Sequence, residues 1–158
     1  MAFDNGFRML LSLCLCLACG TAYAHEDKGV VPAGERAIAQ EQAAQGPTQN
    51  TGIASVVRLG GVALASEFAG MEGKELRVRE ITILPGGVIA VHQHDARPGA
   101  AYILEGEIVE HRNDAAGPIT RVVGDIAFEK TGVTHWWENA SGAKVRALVV
   151  DIVDTPKP

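Results

Sequence analysis

Three of the five histidines in this chain stand at spacings that could hold a metal ion. His92 and His94 flank Gln93, and on a strand residues at i and i+2 point to the same face. His135 follows later, in Gly132-Val133-Thr134-His135. A third imidazole delivered by a different strand would complete three nitrogen contacts on one side of an ion. Neutral imidazole suits Fe, Mn, Ni, Cu or Zn, so the expected cofactor is one divalent transition metal held by His92, His94 and His135. The competing reading is a pocket that keeps polar histidines in its mouth without an ion.

The surrounding glycines give these histidines a context. The first group reads Gly86, five residues, His92-Gln93-His94, four residues, Gly99, six residues, Gly106. The second reads Gly124, five residues, Lys130-Thr131-Gly132, two residues, His135, three residues, Asn139. Over roughly the last hundred residues this pair resembles the two motifs of the cupins, which carry Glu where this chain has Gly99 and Pro where it has Lys130. The resemblance implies a jelly-roll barrel and a metal site built from the motif histidines. Gly99 has no side chain with which to ligate, so one coordination position opens unless another group moves in. Asp95 and Glu129 are the carboxylates nearest in sequence, and neither occupies the motif position. A glutamate restored at Gly99 is expected to tighten metal binding if that position faces the ion. A neutral three-imidazole set leaves the divalent charge uncompensated and favours anionic or chelating ligands. In this respect it is similar to the three-histidine sites of some cupin dioxygenases; a damaged, weakly held site is the alternative.

Two further residues are candidates for contact with a substrate. Arg97, in Arg97-Pro98-Gly99, could pair with a carboxylate or simply be a solvated loop arginine. Trp137 shares the face of His135 and could wall the pocket, whereas Trp136 lies on the other face; core packing is open to both. Arg77 and Arg79 alternate with Leu76 and Val78, and the pattern switches parity near Glu80-Ile81, which suggests a bulge or a strand buried on both faces. His111 reads as a solvated strand end.

The elements that must position these residues are short. Strands are predicted near 53–59, 76–84, 88–93, 100–104, 107–111, 119–123, 125–128, 134–138 and 144–153. Turns are marked by Pro85-Gly86-Gly87, Glu105-Gly106, Asn113-Asp114, Gly117-Pro118 and Ser141-Gly142. Many short strands with regular turns indicate a sandwich or barrel, so the expected fold is all-β, a single-domain jelly-roll barrel or sandwich. The run 145–153 is expected to be a central strand. The domain is expected over 53–155, after a flexible polar lead-in at 25–52 that could form a short helix near 34–45.

Residues 1–24 resemble a signal peptide, with Arg8 before an apolar run and Ala22-Tyr23-Ala24 as the cleavage site. Cleavage would place the protein in the periplasm or outside the cell, with no stable membrane span. It would also remove Cys14, Cys16 and Cys19, the only cysteines, leaving no thiolate ligand and no disulfide. Lipid anchoring through Cys19 is the competing outcome. A net charge of −5 without a Lys/Arg cluster argues against nucleic acid as a partner. The expected partner is a small-molecule ligand or substrate, and a homodimer is possible because cupins commonly pair. Function then lies between an exported oxygenase-type enzyme acting on a small anionic or chelating substrate, a non-catalytic binding or sensing protein, and a metal-independent sugar-type isomerase; fold alone does not choose.

Overall fold

Period-two alternation of buried and exposed residues runs through most of the chain after Asn50 and builds eight strands. The computed structural model describes residues 29–41 and 45–155. The strands are β1 (Thr51–Ala63), β2 (Lys74–Gln93), β3 (Gly99–Glu105), β4 (Glu107–Arg112), β5 (Ile119–Val122), β6 (Ile126–Glu129), β7 (Thr134–Glu138) and β8 (Val145–Asp154). They form one antiparallel sheet in the order β5-β4-β7-β2-β8-β3-β6, with β1 added on β2. The strands at its two ends, β5 and β6, are consecutive in the chain, so the sheet nearly closes into a jelly-roll barrel. Its core is filled by inward rows such as Ile81 and Ile83 on β2, Ala101 and Ile103 on β3, and Val145 and Val149 on β8. The all-β expectation holds, and β8 is central, between β2 and β3.

Two predicted strands are one. Pro85-Gly86-Gly87 was expected to separate them, yet β2 runs through it for 20 residues. The first part pairs with β8 from Lys74↔Asp154 to Ile83↔Val145. From Val88 onward the strand pairs with β7 instead. The Pro-Gly-Gly step is the corner where β2 changes partner. Gly86 takes a left-handed φ of 72° there, which glycine adopts at no steric cost. Backbone bonds from Gly86 N to Asn139 O (2.8 Å) and from Asn139 N to Gly87 O (2.9 Å) pin the corner to the end of β7.

The parity switch expected near Glu80-Ile81 is absent. Arg79, Ile81 and Ile83 are buried on a single inward row, and the register with β8 is unbroken. The arginines face inward because Asp151 on β8 receives them. Asp151 Oδ1 accepts from Arg77 Nε (3.0 Å), and Oδ2 accepts from Arg77 Nη2 (2.8 Å), Arg79 Nη2 (3.1 Å) and Arg97 Nη1 (2.8 Å).

The polar stretch before the barrel is tied down over its described part. It holds a helix, α1 (Ala33–Glu41), but the apolar anchors are Val30 and Val31 just ahead of it, both buried in the barrel core. Arg79 Nη1 donates to the carbonyls of Gly29 (2.8 Å) and Val30 (2.9 Å). Glu35, in the first turn of α1, takes a two-bond pair from Arg97 (2.6 and 2.7 Å). The expectation of flexibility rested on the weak apolar face of the helix itself. Residues 1–24, with the expected cleavage site and the cysteines, lie outside the described residues. Among the described residues no helix is long and apolar enough to cross a membrane.

Candidate metal centre

Two local features aim the histidines. The pairing of β2 with β7 passes from Ile89↔Trp137 to His92↔His135, so β2 carries one residue more than β7 between these pairs. This is a β-bulge, and it restores His92 to the inward row that strict alternation from Ile89 would have denied it. The amides of the bulge are not left bare: Ala90 N donates to Asn50 Oδ1 and Val91 N to Pro47 O, both at 2.8 Å. His94 lies one residue beyond β2. Its amide donates to Val133 O (3.2 Å), and a turn through Ala96, at a φ of 64°, returns Arg97 N to His94 O (3.1 Å).

His92, His94 and His135 are all buried and bring one ligand atom each within 4.8 Å of the others. Nε2 of His135 lies 2.9 Å from Nε2 of His94 and 3.1 Å from Nε2 of His92. The opposite ring nitrogens all face acceptors. His92 Nδ1 is 2.7 Å from Ala90 O, His94 Nδ1 is 3.3 Å from Arg97 O, and His135 Nδ1 is 2.7 Å from Glu110 Oε1. A carbonyl or carboxylate oxygen cannot donate, so each neutral ring carries its proton on Nδ1. Three Nε2 lone pairs are thereby turned toward one point. Two nitrogens bonded to one ion at about 2.1 Å and near a right angle are about 3.0 Å apart, so the observed separations fit a shared cation. Burial drives His92 well below the usual imidazole range, with His135 and His94 adding to it. His94 is pushed down to about 2, by burial first and then by Arg97. Both rings are neutral at physiological pH, the form a metal requires.

Glu110 was missed in the sequence, although it alternates with Ile108 on the inward row of β4. It is fully buried and binds Arg112 Nη1 (2.9 Å) and both Nε and Nη2 of Arg121 (2.9 and 2.7 Å), besides His135. Burial acts to raise its pKa, but the His135 and Arg121 hydrogen bonds outweigh it and hold the carboxyl below its ordinary range. An ionised carboxylate behind a ligating imidazole fixes tautomer and ring orientation. Glu129 was passed over as a ligand. It is buried, lines the same cavity as His92 and His94, and burial pushes its carboxyl upward.

Arg97 and Trp137 both line this cavity. Trp137 sits edge-on to His135, with ring centroids 5.4 Å apart. The Arg97 guanidinium is buried and held by Glu35 and Asp151, so it is no solvated loop side chain. Trp136 lies on the outer side, stacked on His111 at a centroid distance of 3.7 Å. That contact, with an Nε2 to Glu138 Oε1 distance of 3.1 Å, leaves His111 only partly solvated. Asp95 is turned away, accepting from Gly132 N (2.9 Å). At Gly99 the expected vacancy is filled by backbone: an added Cβ would lie 2.7 Å from Val150 O and 3.0 Å from the Asp151 Cβ. A glutamate there would have to displace β8, so the proposed restoration of a ligand at this position is obstructed.

A family model for the cupin domain matches residues 79–151. A Thermotoga maritima protein named oxalate-binding protein is 31% identical over 83 residues, covering 52% of this chain and 67% of that protein. The chain is a cupin. Solved structures similar to it include a predicted oxalate decarboxylase from Thermotoga maritima, 22% identical, with a TM-score of 0.45 over 62% of this cupin and 93% of that chain. A protein from Thermus thermophilus is 21% identical, with a TM-score of 0.48 over 74% of this cupin and 95% of that chain. A sugar phosphate isomerase of the cupin superfamily from Silicibacter pomeroyi is 24% identical, with a TM-score of 0.45 over 66% and 73%.

Proposed function

We propose that this cupin is exported, binds one divalent transition metal through His92, His94 and His135, and uses that site to take up a small anionic or chelating molecule. The observation that carries this is the set of three Nδ1 atoms committed to acceptors, which leaves three Nε2 lone pairs converging in a buried site. A bound divalent ion would supply Lewis acidity and a positive charge to the cavity. The chain's own contribution is Arg97 and Arg79 at one side of that cavity and the apolar wall of Trp137 at another. Guanidinium forks suit carboxylates, and the relative's name, oxalate-binding protein, supports a small carboxylate as ligand. Oxygenase-type turnover remains the enzymatic form of this proposal.

Metal analysis of the purified protein tests the first step. Single His→Ala changes should lower metal affinity by more than about tenfold; a triple alanine variant with unchanged metal content would refute the site. Oxalate titrated into loaded protein should give saturable binding that weakens with ionic strength, and oxygen uptake with the bound anion would establish the oxygenase form. N-terminal sequencing of the exported protein tests processing after Ala24. Tyr102, Ile126 and Phe128 form an exposed apolar row on the outer face of β3 and β6, which supports pairing of two copies there. Sedimentation as a monomer would end that part.

A further inference from the structure

We propose that Glu129 is a fourth metal-binding side chain, delivered from β6 opposite Gly99. The inference rests on the three-histidine site above. In the register of β3 with β6, Glu129 stands directly opposite Gly99. Side chains at such paired positions start about 5 Å apart on one face of the sheet. Gly99 presents no side chain to compete with the carboxylate, which stays on its own side of the pair because β8 fills the space beside Gly99.

Its placement matches that task. Glu129 follows Ala127 on the inward row of β6. Its Oε1 lies 3.8 Å from His135 Nε2, and Oε2 lies 3.6 Å from His94 Nδ1. Two donors bonded to one ion at about 2.1 Å are about 3.0 to 4.2 Å apart, depending on the angle between them, so the distance to His135 Nε2 suits a shared cation. Oε2 is buried and has no hydrogen-bond partner. The other two buried carboxylates among the described residues are committed: Glu110 to His135 and two arginines, Asp151 to three arginines. A buried carboxylate whose Oε2 no donor holds is unfavourable unless a cation meets the group; Oε2 lies at the Nδ1 edge of His94, so the oxygen that would meet the ion is Oε1, which faces His135 Nε2.

The neighbouring strand explains why the carboxylate comes from β6. At position 99 a Cβ would meet Val150 O at 2.7 Å. That stretch of β8 is anchored through Asp151, so it is poorly placed to yield. A donor on this side of the site has to enter from another strand, and Glu129 is the one whose register allows it.

The test is a titration of the full-length protein with Co²⁺, read by affinity and by visible ligand-field absorption. Glu129→Gln keeps the size of the side chain and removes the charge. It should still bind one Co²⁺ per chain, with affinity reduced at least about tenfold and with a shifted absorption spectrum. Equal affinity and an identical spectrum would overturn the inference while leaving the three-histidine site standing. Failure of wild type itself to bind Co²⁺ would overturn both, and the two results are told apart by the wild-type curve alone. Infrared difference spectroscopy of ¹³C-glutamate-labelled wild type and Glu110→Gln, before and after loading, decides the matter even if Glu129→Gln does not fold. A glutamate carboxylate stretch that shifts on metal addition in both proteins supports ligation, since Glu110 on His135 is absent from the second, and unchanged stretches overturn it.

Discussion

Replacing Asp151 by Asn should destabilise this cupin more than any surface change. The carboxylate is fully buried and takes four hydrogen bonds from three guanidinium groups, at 2.8 to 3.1 Å. Burial by itself would raise its pKa, but the Arg77 hydrogen bonds and the charges of Arg79, Arg77 and Arg97 outweigh this and hold the group ionised. In Asp151→Asn the amide oxygen can still accept, but the NH2 faces guanidinium donors, and the negative charge at the centre of the cluster is gone. Arg97 retains Glu35 and Arg79 retains two backbone carbonyls, so not all of the compensation is lost. Breaking a buried charge pair by removing one partner costs about 3–5 kcal/mol. For a domain of this size each kcal/mol lowers Tm by about 3–5 °C, so a fall of about 9–25 °C is expected. Circular dichroism melts and urea titrations of the metal-free protein at pH 7 measure it. The urea midpoint should fall with the m-value unchanged. A loss below about 1 kcal/mol would mean that the three arginines do not depend on Asp151, and the account of why they face inward would fail.

Other expectations concern protonation and packing. His92 and His94 have lowered pKa values in the folded state, so a metal need not displace protons from them at mildly acidic pH. Protons should therefore compete with the metal less steeply than the about three per ion expected of an exposed three-histidine peptide below about 6.5; a competition titration in which affinity falls by about three decades per pH unit would contradict the burial of His92 and His94. The same shift has a cost in stability. Below about 6.5 the unfolded chain binds protons that the folded rings refuse, so metal-free stability falls as pH falls, by about 1.4 kcal/mol per pH unit for each ring. Glu129, raised by burial, offsets part of this, since the folded chain takes up its proton first; a metal-free midpoint that does not fall from pH 6.5 to 5 would be inconsistent with the lowered values of His92 and His94. Gly99→Ala should cost about 1–3 kcal/mol through its contact with β8, and a melt identical to wild type would show that β8 yields freely. Glu110→Gln should weaken metal binding by about 10–100-fold by loosening His135, which a Zn²⁺ competition assay measures.

Most strands were legible because their inward rows are apolar. β7 was located to the residue, and Trp137 was placed on the face of His135 by counting. What the sequence left unplaced was written in charged residues on inward rows. Arg79 precedes Ile81 in step, Glu110 follows Ile108, Glu129 follows Ala127 and Asp151 follows Val149; each is a polar group at a position where alternation demands burial. Read separately, such residues look like breaks in a pattern. They make sense only once Asp151 meets its arginines and Glu110 meets His135 across strands far apart in sequence. The bulge ahead of His92 was invisible for a related reason, since its amides are satisfied by Pro47 and Asn50 from a different part of the chain. The corner at Gly86 carries an ordinary turn signature, and only the exchange of partners from β8 to β7 shows that the strand continues.

The segment from Gly29 to Val31 also changes what an affinity measured on this protein means. Its two valines line the cavity that holds the histidines, and its carbonyls and Glu35 occupy guanidinium groups of Arg79 and Arg97. A ligand that engages those guanidiniums competes with the chain's own atoms for them. Its apparent dissociation constant is then the intrinsic one divided by the fraction of molecules in which the segment has withdrawn. Each 1.4 kcal/mol by which the segment prefers its seat weakens observed binding by about tenfold. Changes at Val30, Val31 or Glu35, none of which belongs to the three-histidine cluster, would therefore shift the apparent affinity for any such ligand.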